Sequence, residues 1–264
     1  MSWIEGVLQV PLVMQAARGA SNWVDLQWSL LDAQLKLIAP RAHGKLLDVG
    51  CGEKPYEAIF LPFVTSYIGV EHEATFGHTT ASTRSKPDVL YDGKRLPFDD
   101  ESFDTVLNVQ VLEHTSRPQE LLEEMARVLK QDGTLILNAP FCFRLHEEPH
   151  DFFRYTPHGL KDMCERAGLE VTDTMAQGSL WSVMGHKLNS YLAFQVADLG
   201  AVTQAMGKLG HEGTSKKRPR LWSFPFVLPT MACVSAGARI LDHLLPDATE
   251  ALSFMIVARR KKGR

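Results

Sequence analysis

The stretch Leu46-Leu47-Asp48-Val49-Gly50-Cys51-Gly52-Glu53 sets a carboxylate at the end of an apolar run, two residues ahead of paired glycines. The glycines let the backbone turn tightly and come close to a ligand. Asp48 suits a cationic ligand better than a pyrophosphate, which would meet like charge. A nicotinamide-dinucleotide fingerprint would read G-x-G-x-x-G, and its third glycine would fall on Pro55. Glu71 ends the next apolar run, 19 residues beyond Gly52, where a carboxylate accepts from both hydroxyls of a ribose. Asp92 follows a third short run and can accept from an adenine amino group. Three acids at successive strand ends, without a phosphate cradle, describe an adenosine ligand carrying positive charge.

A second constellation, His146-Glu147-Glu148-Pro149-His150, matches a metalloprotease signature letter for letter. That chemistry needs both His residues on one helix face, with the Glu as base for a zinc-bound water. Pro149 opposes it, because proline in a helix interior removes a backbone bond and clashes with the preceding turn, at a cost of about 3 kcal/mol. A helix opened by Pro149 would leave His146 outside. Zinc peptidase chemistry is therefore a remote alternative, and no metal ligand is assigned. Residues 138–155 read instead as an 18-residue loop leaving the carboxyl end of a central strand, where loops carry function more often than packing. Its His146, His150 and Asp151 are candidates to take a proton from an oxygen or nitrogen nucleophile, or to orient it. A structural pairing of Asp151 with Arg154 is the plain alternative.

The elements that must hold these residues alternate. Apolar runs at 45–49, 66–71, 103–109 and 134–138 read as buried parallel strands. Between the last two, a helix is expected with Ser116 and Gln119 at capping-box spacing and Gly133 stopping it. A further helix is expected over 157–167, capped by Thr156, opened by Pro157 and closed by Gly168. Strands are expected at 169–175 and 251–258. This pattern implies a parallel α/β sheet covered on both faces.

Several ordered motifs together resemble the class I S-adenosylmethionine-dependent methyltransferases. They are Leu47-Asp48-Val49-Gly50-Cys51-Gly52, then Gly69-Val70-Glu71, Asp92 with Leu96-Pro97-Phe98-Asp99-Asp100, Val111-Leu112-Glu113-His114, and Arg127-Val128-Leu129-Lys130 through Leu135. The resemblance implies a doubly wound, Rossmann-like methyltransferase sheet and S-adenosyl-L-methionine as cofactor. It implies Gly50 and Gly52 against the methionine part, Asp48 near its amino group, Glu71 on the ribose, Asp92 on the adenine, and Val109 with Gln110 beside the sulfonium. One departure is Glu53-Lys54-Pro55-Tyr56, where many relatives carry a further glycine. The domain reading is a helical cap over 1–44, a core over 45–177 and 251–260, and a helical insertion over 178–250 before the last strand.

Composition is that of a soluble globular protein: 45% of residues are apolar, 22% charged, and the net charge of −3 argues against a surface built for nucleic acid. Four scattered cysteines without a C-x-x-C pair favour a reducing compartment. The apolar stretch 7–17 follows Glu5 and no basic residue, so a signal peptide is not expected, and no apolar run was long enough to suggest a bilayer span. The expected location is cytoplasmic. Basic clusters at 216–220 and 259–264 flank the Pro-interrupted apolar segment 221–229. They make peripheral membrane contact one reading of the insertion and a packed cap the other. The acceptor expected is a small molecule, a glycan or a lipid-linked intermediate, methylated on oxygen or nitrogen. A non-catalytic, membrane-associated binding protein retaining the fold is the competing class.

Overall fold

The structure, a computed structural model, describes residues 24–76, 86–198, 220–247 and 249–261. The apolar stretch 7–17, most of the 1–44 cap, residues 216–219 of one basic cluster and 262–264 of the other lie outside the described residues.

Seven strands form one sheet: β1 Lys45–Val49, β2 Ser66–His72, β3 Val89–Tyr91, β4 Phe103–Val109, β5 Leu129–Pro140, β6 Leu169–Gln177 and β7 Ser253–Arg260. Their order is β3-β2-β1-β4-β5-β7-β6. Strands β1 to β5 pair in parallel, and β7 lies antiparallel between β5 and β6. The sheet is therefore mixed, where the alternation alone implied a parallel one. Residues Phe254–Ala258 of β7 are buried on both faces, as the apolar run requires. Strand order reverses between β1 and β4, the switch point at which such sheets open a crevice outside their carboxyl ends.

The helices are α1 Leu26–Ile38, α2 Glu57–Phe60, α3 Glu73–Phe76, α4 Pro118–Val128, α5 Pro157–Arg166, α6 Leu180–Tyr191 and α7 Phe224–Leu244. Helix α4 buries Leu122, Met125 and Val128 as the sequence pattern requires. Its expected capping box does not form. Arg117 occupies the N-cap, Pro118 opens the helix, and the Thr115 hydroxyl accepts from the Arg117 N–H at 3.2 Å. Nor does Gly133 end this helix, because Leu129 turns directly into β5. Helix α5 follows its expected signals. The Thr156 hydroxyl accepts from the Gly159 N–H at 3.1 Å, and Gly168 closes the helix at φ +78°.

The chain divides into two compact units. One holds the sheet, within Gln34–Leu145, Pro149–Gln177 and Ser253 onward; the other includes Gly178–Leu252, His146–Glu148 and the residues up to Ala33. In the second unit the segment expected to be broken by prolines folds as the 21-residue helix α7, which runs through Pro229. Pro225 lies in the first turn, where a helix N–H has no partner in any case. Among the described residues α7 is the one helix long and apolar enough, by length and composition, to cross a membrane. The prolines at 225 and 229 hide this run in the sequence. Gly185 lets α6 approach α7 closely, since a Cβ there would lie 3.0 Å from that of Ala238. Asn189 donates to the Ser235 hydroxyl at 2.8 Å, fixing the register of the pair.

Candidate functional site

Asp48 sits in register with Gly69 of β2 and Leu107 of β4, near the carboxyl end of β1. It is 2% exposed. Burial pushes its carboxyl up to about 7 against the opposing effect of a hydrogen bond from the Tyr67 hydroxyl, with the charge of Glu71 adding to the rise. A carboxylate so placed is stabilised by a cation arriving beside it.

The two glycines differ in what they require. Gly50 has φ +75°, and a Cβ on it would lie 2.4 Å from a Val111 methyl, so the turn and the packing both exclude a side chain. Gly52 has φ +50° with no atom within 4 Å of where a Cβ would be, which leaves its backbone open to a ligand. The Gly52 N–H donates to Glu71 Oε2 at 2.7 Å, and the His72 N–H to Oε1 at 2.9 Å. This carboxylate therefore ties the glycine turn to the end of β2. Lys54, at the departure from the usual glycine pattern, adopts φ +51°. Its buried side chain pairs with Asp88, whose carboxylate also accepts from the Gly69 N–H at 2.7 Å. A lysine thus occupies a left-handed position that glycine would hold without strain.

Gln110 follows β4 at φ +56°. Its backbone N–H donates to the Asn138 carbonyl at 2.9 Å and its amide to Asn138 Oδ1 at 2.6 Å. Asn138 in turn donates to the Ser253 hydroxyl at 3.1 Å, and Ser253 to Gln177 Oε1 at 2.5 Å. A polar chain therefore runs across the ends of β4, β5, β7 and β6. Asp92 lies one residue beyond Tyr91, which pairs with His72 at the end of β2. It follows β3, is exposed, and accepts from the Lys94 N–H at 3.0 Å.

Residues 146–150 form bends and a turn, with Glu147 at φ +52°, and no helix. The i, i+4 geometry that a zinc-peptidase helix supplies is absent from this motif. His146 belongs to the helical unit, His150 and Asp151 to the sheet unit. Asp151 is engaged by Arg154, whose two terminal nitrogens donate to the two carboxylate oxygens at 2.6 and 2.7 Å. Arg154 also donates to the carbonyls of Phe143 and Arg144, at 3.2 and 2.8 Å, closing the loop on itself. The loop is sewn to the segment after β4. The Phe152 N–H donates to the Glu113 carbonyl, the Tyr155 hydroxyl to the Leu112 carbonyl and His114 Nδ1 to the His150 carbonyl, each at 2.9 Å. His114 therefore braces this loop.

Tyr67, Lys54, Asp88 and Asn138 were missed in the sequence. Tyr67 had a faint signal, since it lies four residues before Glu71 and so shares its strand face parity. The others become visible only when strands are laid side by side.

Residues 47–137 match the family model described as a methyltransferase domain. A Mycobacterium tuberculosis protein described as an uncharacterized methyltransferase is 38% identical over 102 residues, 38% of this chain and 40% of that protein. A Mycolicibacterium smegmatis protein described as a probable S-adenosylmethionine-dependent methyltransferase is 29% identical over 147 residues, covering 52% of this chain and 57% of that protein. The matched region spans less than two thirds of these relatives' length. Among solved structures, one described as the 4+2 cyclase SpnF shares the fold at a TM-score of 0.54 and 20% identity, covering 88% of this chain and 81% of that one.

Proposed function

We propose, from the premise that residues 47–137 are an S-adenosylmethionine-dependent methyltransferase domain, that this chain methylates an oxygen or nitrogen of a small-molecule, glycan or lipid-linked acceptor. The observation that carries the reading is the pair of buried acids on adjacent strand ends, Asp48 and Glu71, with Glu71 accepting from the open backbone of Gly52. That donor set fits an adenosine ligand bearing an ammonium and a sulfonium. S-adenosylmethionine, when bound, supplies an electrophilic methyl group. Asp48 would hold the ammonium, Glu71 the ribose hydroxyls and Asp92 the adenine, with Gln110 beside the sulfonium. Positioning provides most of the acceleration in such a displacement. His146, His150 and water would be the candidates to take the proton of the acceptor's nucleophilic oxygen or nitrogen. Asp151, bound at both oxygens by Arg154, shapes the loop that carries His150.

The fold alone does not select this chemistry, because the neighbouring structure named above is described as a cyclase. Calorimetry with S-adenosylmethionine and with its demethylated product tests the cofactor, and failure to bind either ends the proposal. A turnover screen with a labelled methyl donor against fractionated metabolites and lipids tests the reaction. Binding without turnover on any fraction would favour the competing class, a binding protein that keeps the fold.

A further inference from the structure

We infer that the helical unit docks on anionic membrane surfaces through the apolar face of α6 and α7, with α7 lying in the interface and not crossing the bilayer. Three observations carry this.

The first is exposed apolar surface. Trp222 and Phe226 are each 72% exposed, and Ile240 and Leu244 continue along α7. On α6, Met184, Leu188 and Tyr191 are exposed as well. A groove of about 310 Å³ runs between the two helices, lined by apolar residues such as Trp181, Leu188, Val234 and Leu241. Contiguous surface of this kind marks an interaction site. Trp and Tyr at its margin are the residues that settle at the headgroup level.

The second is charge. In the sequence Lys216, Lys217, Arg218 and Arg220 precede α7, and no acid stands between Glu212 and Asp242. Helix α6 also has no acid. Described Arg220 is exposed, immediately before the aromatic residues. Anionic lipid headgroups complement this pattern. A second copy of the chain would bring the same cations against one another.

The third is geometry. Helix α7 is free of charge only from Phe224 to Ala238, which at 1.5 Å per residue is about 22 Å, short of the ~30 Å hydrocarbon core. Its other stripe, Val227, Met231, Ser235 and Ala238, is buried within its own unit, where Ser235 bonds Asn189. Asp242 accepts from Ser179 and Ser182 at the far end. A helix with one side so engaged rests on the membrane with its other side immersed.

The test is vesicle co-sedimentation of the full chain, with S-adenosylmethionine calorimetry on the same preparations. Phosphatidylcholine vesicles containing about 30% phosphatidylglycerol should pull down the protein, and pure phosphatidylcholine should do so much less. Phe226→Glu with Trp222→Glu should weaken vesicle binding about tenfold or more, while cofactor affinity stays unchanged, which shows that the variant folds. The calorimetry also separates failure of this inference from failure of the methyltransferase reading. The inference is overturned if the wild type ignores anionic vesicles. It is overturned if the double variant binds them equally well, or if light scattering shows a solution dimer that these substitutions dissociate, since a second copy would then own the face. Full binding only after removal of residues 1–23 would assign the face to that segment. Retention on the vesicles through alkaline carbonate washing would indicate a crossing helix.

Discussion

The proposed role of Asp48 against the cofactor's ammonium predicts that cofactor affinity depends on pH, with a magnitude set by its raised carboxyl. Its carboxyl is pushed up to about 7 by burial, so the ligand-free protein holds it protonated in mildly acidic solution. A cationic amine binds the ionised form. The ionised fraction rises from roughly 3% at pH 5.5 to roughly 75% at pH 7.5, so affinity for S-adenosylmethionine should rise about 25-fold over that window. The ligand's own amine, with a pKa near 8, stays mostly charged there. Calorimetry in matched buffers measures this, and Asp48→Asn should bind weakly with a flat profile. Folding stability moves the other way. The folded pKa lies above the unfolded value near 3.9, so this group's contribution is complete below about pH 4 and is lost as pH rises through about 7. Ionised Asp48 then costs the ligand-free protein on the order of 4 kcal/mol. Asp48→Asn should therefore melt at a higher temperature than wild type at pH 8 and at nearly the same temperature at pH 4. A wild-type affinity that is flat between pH 5.5 and 7.5, or an equal slope in Asp48→Asn, would refute the reasoning.

Tyr67→Phe removes the hydrogen bond that restrains Asp48, and the midpoint of the affinity profile should move to higher pH; an unmoved midpoint argues against the coupling. Gly50→Ala forces a left-handed alanine into Val111, and a loss of about 2–4 kcal/mol is expected in chemical denaturation. Val111→Ala in the same chain should recover the part due to overlap and leave the part due to φ. Arg154→Leu removes both bonds that Arg154 makes to the carboxylate of Asp151, whose side chain is 1% exposed, and should cost about 3 kcal/mol. Adding Asp151→Asn should return part of it, and a purely additive double-mutant cycle would show that the pair does not brace the loop.

The strand-end acids and turn glycines proposed to meet the cofactor are legible because each rests on local rules. A carboxylate at a strand end, a glycine where the chain must turn and a fixed spacing to the next strand are properties of short segments. What was not legible depends on neighbours distant in sequence. The direction of β7 is decided by the slot between β5 and β6, which no pattern within 253–260 encodes. Thr156 caps α5 as expected, while the Ser116 box fails because Pro118 and Arg127–Leu129 fix both ends of α4 by other means. Pro149 excluded a zinc helix correctly, for the turn at 146–150 is non-helical. Pro225 and Pro229 do not break α7, because the effect of a proline depends on its position in the helix. Pro225 enters at the first turn, where it costs nothing. Pro229 removes one bond, and the packed stripe Val227, Met231, Ser235 and Ala238 holds the helix through it. A proline in sequence therefore states a local cost of roughly 3 kcal/mol. Whether the helix ends there depends on the apolar burial beyond it, which is a tertiary quantity.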